Sequence, residues 1–276
     1  MRLKAGQEKM GTGFTLLELV VSASLVLVLA SLTLPAINSA RAKAQRVQCL
    51  ENQRQIILGW SLFAGDHSGR LPANGYTPGG GDPANPLWVQ GYMNPKVAPD
   101  DAFDEKLLVD SGYAQLGQYV SNPAVYRCPS DRDSIEVDGR TRERARSYSM
   151  NAYVGWQDSV QRPLTPGYRV FNSWSDMDKF GPAKLMVLLD VNPESICWPF
   201  FGVNMGGGEQ AQFFAYPGAS HDNGAMVAFA DGHVEYHSWT DERTSNPGNV
   251  LFHGHDTSSP SNPDLAWLRA RTSSNQ

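Results

Sequence analysis

The sequence predicts an α+β fold in which one long N-terminal helix packs on a small antiparallel β-sheet domain with long loops. Three observations carry this. Phe14 to Ile37 is an apolar run with Glu18 as its single charge. Beyond it, Cys49/Leu50, Ile56/Ile57, Trp60 and Phe63/Ala64 recur at spacings of 3, 4 and 7, which is one face of a helix. Near the C-terminus, two strand-like runs from Ala225 to Ala230 and from His233 to Trp239 flank Asp231-Gly232, a dipeptide favoured in tight hairpins.

The elements follow in order. Residues 1–13 form a short leader with Arg2, Lys4 and Lys9 against Glu8. A basic leader before an apolar span places the N-terminus in the cytoplasm and the bulk of the chain outside. Residues 14–37 span roughly 36 Å as a helix, enough to cross a hydrocarbon core of about 30 Å. A carboxylate near a bilayer centre costs roughly 2.5–3.5 kcal/mol, so Glu18 needs a positive partner. The best candidate is the free amine that Phe14 gains if the chain is cut after Gly13. An ordinary secretory signal is the competing reading, with its small-residue cleavage region at Ala30 to Ala36. Against it, the run is longer than a usual signal core and continues into a polar helix pattern.

Residues 38–66 extend the helix. Ala40 to Gln55 lacks Gly and Pro and is rich in good helix formers. Gln53 interrupts the apolar stripe, Gly59 weakens it, and Pro35 should bend the helix near Ser31. Gly65 to Gly69, with Pro72 beyond, should end it. Residues 67–276 are then the globular domain. In it, 72–100 is an irregular loop region with a short strand at Trp88 to Met93. Leu107 to Val120 reads as one or two short helices, and Leu185 to Asp190 as a buried strand. A two-residue turn at Asp231-Gly232 makes 225–239 a hairpin in which Ala230 faces His233, Phe229 faces Val234 and Val227 faces Tyr236. Phe229, Val227, Val234 and Tyr236 then share the face toward the long helix.

Gly13-Phe14-Thr15-Leu16-Leu17-Glu18-Leu19-Val20 resembles the N-terminal signal of type IV prepilins and type II secretion pseudopilins. The resemblance implies cleavage between Gly13 and Phe14 by a prepilin peptidase, N-methylation of Phe14, an assembly role for Glu18 and a helix kink at Pro35. It implies a non-enzymatic, pilin-like subunit, held by a single pass in the bacterial inner membrane with its C-terminal domain in the periplasm. Such a subunit joins copies of itself, other pilin-like subunits and the inner-membrane assembly machinery in a type II secretion pseudopilus or a type IV pilus-like filament. A minor or tip subunit, or a membrane-anchored periplasmic binding protein, is the alternative. Further along, Cys128-Pro-Ser-Asp131, Tyr148-Ser-Met-Asn151, and His221 separated by nine residues from Asp231-Gly232 resemble pseudopilin-like proteins abundant in planctomycete and verrucomicrobial bacteria.

Composition bounds the rest. The chain has 276 residues and a formal net charge of −5, and loss of the leader would make it about −7. Nucleic-acid binding, which normally shows a basic patch, is not suggested. The four arginines of Arg140 to Arg146 read as a solvated loop. With three cysteines, Cys49, Cys128 and Cys197, outside the cytoplasm a disulfide is permitted. Three cysteines allow three pairings. Cys49–Cys128 is preferred, and three buried free thiols are the alternative.

No constellation reads as catalytic. With Asp231 at a hairpin tip, His221 lies about 20–30 Å away beyond the open end, so Asp231 is a turn former rather than a co-ligand. His233 and His237, four apart on one strand, are separated by roughly 13 Å, too far for one metal. His253-Gly-His255-Asp256 sits in a polar tail and reads as an exposed loop. Resemblance to major pseudopilins raises calcium, with oxygen-rich loops at His221-Asp222-Asn223 and Asp190-Val191-Asn192. Calcium needs six to eight oxygens, and no such set is legible. No Walker loop, dinucleotide fingerprint or nucleophile motif is present, so no enzyme, metal or cofactor is expected.

Overall fold

The computed structural model describes residues 15–77, 79–94, 97–137, 139–157, 164–248 and 257–276. Gly13, Phe14 and the His253–Asp256 stretch lie outside the described residues. The chain divides into two compact units, Met1–Ala44 and Gln45–Gln276, and the architecture is α+β.

Helix α1 runs from Leu16 to Asp66, with Pro35 inside it. In the first unit its large apolar side chains, Leu16 to Ile37, are exposed. An 18-residue window there has a mean hydropathy of 2.3 and no buried residue. Among the described residues, α1 is the one helix long and apolar enough to cross a membrane. Pro35 has no N–H to offer the Ser31 carbonyl one turn back.

The second unit holds the core. The last turns of α1 bury Cys49, Asn52, Gln53, Ile56, Ile57, Gly59, Trp60, Phe63 and Ala64, the stripe read from the sequence. Gly59 is there for space: a Cβ would stand 2.7 Å from Val120 Cγ2. The helix stops where expected, through Ser68 and Gly69 at positive φ. Then come α2 (Lys106–Val109), a hairpin of β1 (Ser134–Val137) and β2 (Arg140–Glu143), β3 (Tyr148–Asn151), β4 (Met186–Asp190), β5 (Phe200–Phe201) and β6 (Gln212–Phe213). The chain closes with β7 (Gly224–Phe229), β8 (Val234–Ser238), α3 (Glu242–Ser245), β9 (Thr257–Ser258) and α4 (Pro263–Thr272). The main sheet has order β5-β3-β4-β7-β8. It is antiparallel except at the β3–β5 edge, which is parallel. The sheet is sandwiched: Arg46 of α1 lies over the Tyr236 ring at 4.2 Å, while His237, the next residue on β8, stacks on Trp267 of α4 at 3.7 Å.

Strand β4 is wholly buried, as the sequence predicts. Three expectations differ. Trp88 to Met93 is buried but forms no strand. Its amides scatter: Trp88 donates to the Ala73 carbonyl, Gln90 to Leu107, Met93 to Cys197, and Tyr92 to the Asp101 carboxylate. Gly91, at φ +102, turns the chain between them. Secondly, Arg140–Glu143 is exposed, but Arg144 and Arg146 are buried. Arg144 pairs with Asp133 at 2.9 Å, and Arg146 donates to the Tyr148 carbonyl and Ser149 Oγ.

The third difference is the hairpin register. Phe229 donates to the His233 carbonyl and Gly232 to the Phe229 carbonyl, both at 2.9 Å, so the loop is Ala230-Asp231-Gly232. Only Gly232 among these takes positive φ, whereas a two-residue type I′ turn needs it at both centres. Pairing slips by one: Met226 faces Tyr236, Val227 faces Glu235 and Ala228 faces Val234. A one-residue slip changes face, so Tyr236 and Val234 share their side with Met226 and Ala228, not with Val227 and Phe229. Asp231 keeps the turn role, its Oδ1 accepting from the His233 amide.

Candidate functional site

At the start of α1, Thr15 and Glu18 close a capping box. Glu18 Oε2 accepts from the Thr15 amide at 2.9 Å and from Thr15 Oγ1 at 2.8 Å, while the Glu18 amide donates to Thr15 Oγ1 at 3.2 Å. Glu18 therefore has local hydrogen-bond partners, which the sequence reading missed although Thr-x-x-Glu is a capping signature.

The second feature is a buried cluster where α1 meets the sheet. Cys49 comes from α1, Cys128 from the loop after a 3-10 turn (Pro123–Tyr126), Asp190 from the end of β4, and His221 from the turn before β7. One donor atom from each lies within 4.8 Å of all the others, and all four residues are buried. Cys49 Sγ is 3.3 Å from Asp190 Oδ1, Cys128 Sγ 3.1 Å from His221 Nε2, and His221 Nε2 3.8 Å from Asp190 Oδ2.

Local structure aims each group. The Asp190 carboxylate is held by the Met226 amide at 2.7 Å, and the Tyr148 hydroxyl, on the neighbouring strand, lies 3.3 Å from Cys49 Sγ. His221 is set by a tight turn in which Asp222 and Asn223 both take positive φ (+58° and +56°) and the His221 amide donates to the Gly224 carbonyl. Asp and Asn tolerate that conformation better than other side chains. The primed-type turn expected at Asp231-Gly232 thus occurs nine residues earlier, at Asp222-Asn223. Arg46 of α1 reaches the same turn, 3.8 Å from Asp222 Oδ2. Burial pushes the Cys49 thiol up, pushes the Asp190 carboxyl up to about 7, and pulls His221 down to about 4. Burial thus disfavours the charged forms of Cys49, Asp190 and His221.

The disulfide expected between Cys49 and Cys128 is not formed. None of the three cysteines is in a disulfide. The two sulfurs are neighbours, but Cys49 Sγ is engaged with Asp190 and Cys128 Sγ with His221. His221 and Asp231 share no site. His233 stacks on Phe229, and His237 on Trp267, so each ring has its own packing partner. Sequence reasoning pairs Cys49 with Cys128 but does not join His221 to them. It places Asp190 at the end of a buried strand and in an oxygen-rich loop weighed for calcium, not beside the two cysteines.

On the surface of the second unit, an open cleft of about 600 Å³ is lined by Asn74, Tyr76, Asp82, Asn85, Gln115 and Gln157, among others.

Comparison with known proteins gives one family. No curated protein and no solved structure matches the chain. Residues 38–178, half of the chain, match the family described as "Protein of unknown function (DUF1559)". The match takes in Cys49 and Cys128 and ends before Asp190 and His221. The chain belongs to the DUF1559 family.

Proposed function

We propose that this chain is a non-enzymatic, pilin-like (pseudopilin) subunit. A prepilin peptidase cuts it between Gly13 and Phe14, Phe14 is N-methylated, and the subunit waits in the bacterial inner membrane with residues 45–276 on the periplasmic side. It then assembles with copies of itself and other pilin-like subunits into a type II secretion pseudopilus or type IV pilus-like filament. The observation that carries the reading is the helix: a single α1 is exposed and apolar from Leu16 to Ile37 and docks a core with the face from Cys49 to Ala64. The helix by itself fits a membrane anchor or a signal sequence; the Gly13–Val20 motif decides for the anchor.

The mechanism follows from charge. Glu18 is the only carboxylate between Phe14 and Ile37. Its negative charge and the amine of Phe14 each oppose burial in lipid alone and offset one another when paired. Pairing between neighbours sets subunit register. The capping box leaves Glu18 its charge, so local capping and pairing are compatible. A minor or tip subunit, or a membrane-anchored periplasmic binding protein, is the second reading, favoured by the amide- and tyrosine-lined cleft around Asn74 and Gln157.

Intact-mass and N-terminal analysis of the chain from native membranes tests the proposal. The expected mature chain begins at Phe14 with one added methyl, and Gly13→Val abolishes processing. A chain beginning near Ala36 would identify an ordinary signal peptide and overturn the reading.

A further inference from the structure

We propose that Cys49, Cys128, Asp190 and His221 form a closed, four-coordinate site for zinc that fastens α1 to the sheet. The inference is independent of what the N-terminal half of α1 does. Two thiols, one imidazole and one carboxylate are all donors that zinc accepts in tetrahedral structural sites. They come from four segments spread over the chain and converge in the interior.

The dimensions agree. Zn–S of about 2.3 Å, Zn–N of about 2.05 Å and Zn–O of about 2.0 Å give tetrahedral edges of about 3.3–3.8 Å. Two edges between donor atoms are 3.1 Å (Cys128 Sγ to His221 Nε2) and 3.3 Å (Cys49 Sγ to Asp190 Oδ1), and one donor atom from each of the four residues lies within 4.8 Å of all the others. Both are within about 0.5 Å of a tetrahedron's edge, and with the rest bounded at 4.8 Å ligation draws each donor inward by about 1 Å or less. An outer layer is in place as well. The Met226 amide fixes Asp190 through Oδ2, leaving Oδ1 for a metal, and the Tyr148 hydroxyl lies beside Cys49 Sγ. Such partners orient metal ligands.

The donor set discriminates among ions. Calcium and magnesium take oxygen ligands, calcium six to eight, and this site offers one carboxylate beside two sulfurs. An iron–sulfur cluster takes four thiolates or two thiolates with two imidazoles. Four protein ligands fill a tetrahedral zinc and leave no open position, so the role is structural. Binding releases the protons of the two thiols, and of Asp190 where it is protonated, to solvent. No electron is transferred.

The test uses the full chain, extracted from membranes in detergent without chelator and with free thiols trapped at lysis. Metal analysis is expected to give about one zinc per chain. Cys128→Ser and His221→Gln should each lower this at least about tenfold, and His233→Ala should not. Cobalt(II) exchanged into the wild-type chain should show a thiolate-to-cobalt charge-transfer band with intense tetrahedral ligand-field bands, a readout that does not depend on a variant folding. Wild-type protein that takes up no zinc and shows no cobalt–thiolate band would overturn the proposal. So would recovery of a Cys49–Cys128 disulfide from the native protein.

Discussion

Glu18 offers two separable contributions, a cap and a charge, and substitutions divide them. Its Oε2 accepts two hydrogen bonds from Thr15, at 2.9 and 2.8 Å. Losing a cap costs about 0.5–2 kcal/mol of local helix stability. Glu18→Gln keeps a carbonyl oxygen that can accept the same bonds, since capping boxes use Glu or Gln, but it abolishes the charge. Thr15→Val does the reverse, removing the hydroxyl while leaving the carboxylate. Glu18→Ala removes both. If charge pairing with the Phe14 amine drives assembly, Glu18→Gln and Glu18→Ala both fail to form filaments, and Thr15→Val assembles. Membrane retention is unchanged in all three: the two Glu18 variants remove an insertion cost of roughly 2.5–3.5 kcal/mol, and Thr15→Val replaces a hydroxyl by a methyl. Hydrogen exchange at amides 16–19 reports the cap separately, with about five- to thirty-fold faster exchange in Thr15→Val and Glu18→Ala for a loss of about 1–2 kcal/mol. The assay is shearing and recovery of filaments against membrane-bound subunit. Wild-type yield from Glu18→Gln would refute the pairing argument and leave Glu18 as a helix cap.

Two further predictions concern the second unit. Gly59→Ala would gain about 1 kcal/mol in an isolated helix, but its Cβ would meet Val120 Cγ2 at 2.7 Å and Tyr119 Cβ at 3.1 Å. The expected net effect is destabilisation by up to about 2 kcal/mol, read as a lower thermal midpoint, since overpacking a filled core costs about 1–3 kcal/mol against the helix gain of about 1 kcal/mol; a raised midpoint would contradict this. Asp264, buried at the start of α4, accepts from the Thr240 amide, Thr240 Oγ1 and the Asp241 amide. Asp264→Asn turns donor toward donor, and a loss of about 1–3 kcal/mol in denaturant unfolding is expected; an unchanged midpoint would show that these bonds add nothing net.

What the sequence made legible was mostly local. The apolar run, the stripe on α1, the buried β4 and the existence of the C-terminal hairpin all follow from periodicity or from an unbroken apolar segment, and these hold. The hairpin register does not, because Asp-Gly serves both a two-residue loop and a three-residue loop with Gly at the left-handed position. The choice lies in the φ of one residue, and it moves Val227 and Phe229 to the opposite face. The Trp88–Met93 segment had strand-like composition, but its amides bond to four separate segments, a tertiary arrangement that propensity does not encode. The four-residue cluster was out of reach for the same reason. Successive members are 31 to 79 residues apart in sequence. The available hints were a cysteine on a buried helical stripe, an Asp closing a buried strand, and an Asp-Asn pair able to turn His221 inward.

The polar residues of α1 explain how the helix is held at one position on the domain. Gln45 Nε2 donates to the Pro129 carbonyl at 2.9 Å, Asn52 Nδ2 to the Arg127 carbonyl at 3.0 Å, and Gln53 Nε2 to the Met226 carbonyl at 3.0 Å. With Cys49 they occupy positions i, i+4, i+7 and i+8, one face of the helix. The apolar contacts of Ile56, Trp60 and Phe63 supply attraction that is non-directional and tolerant of sliding. Hydrogen bonds are directional, and moving the helix by one residue, about 1.5 Å with a turn of about 100°, breaks all three together. Each buried group left unpaired then costs about 1–3 kcal/mol, so a slipped register is several kcal/mol less stable although its apolar area is nearly the same. Gln53, which the sequence presents as an interruption of the stripe, is thereby part of what specifies the register. On the pilin-like reading proposed above, load along the helix would meet this lock. Force along α1 is resisted where Gln45, Cys49, Asn52 and Gln53 grip the 127–129 loop and the sheet, and a metal at Cys49 would add coordinate bonds at the same level of the helix.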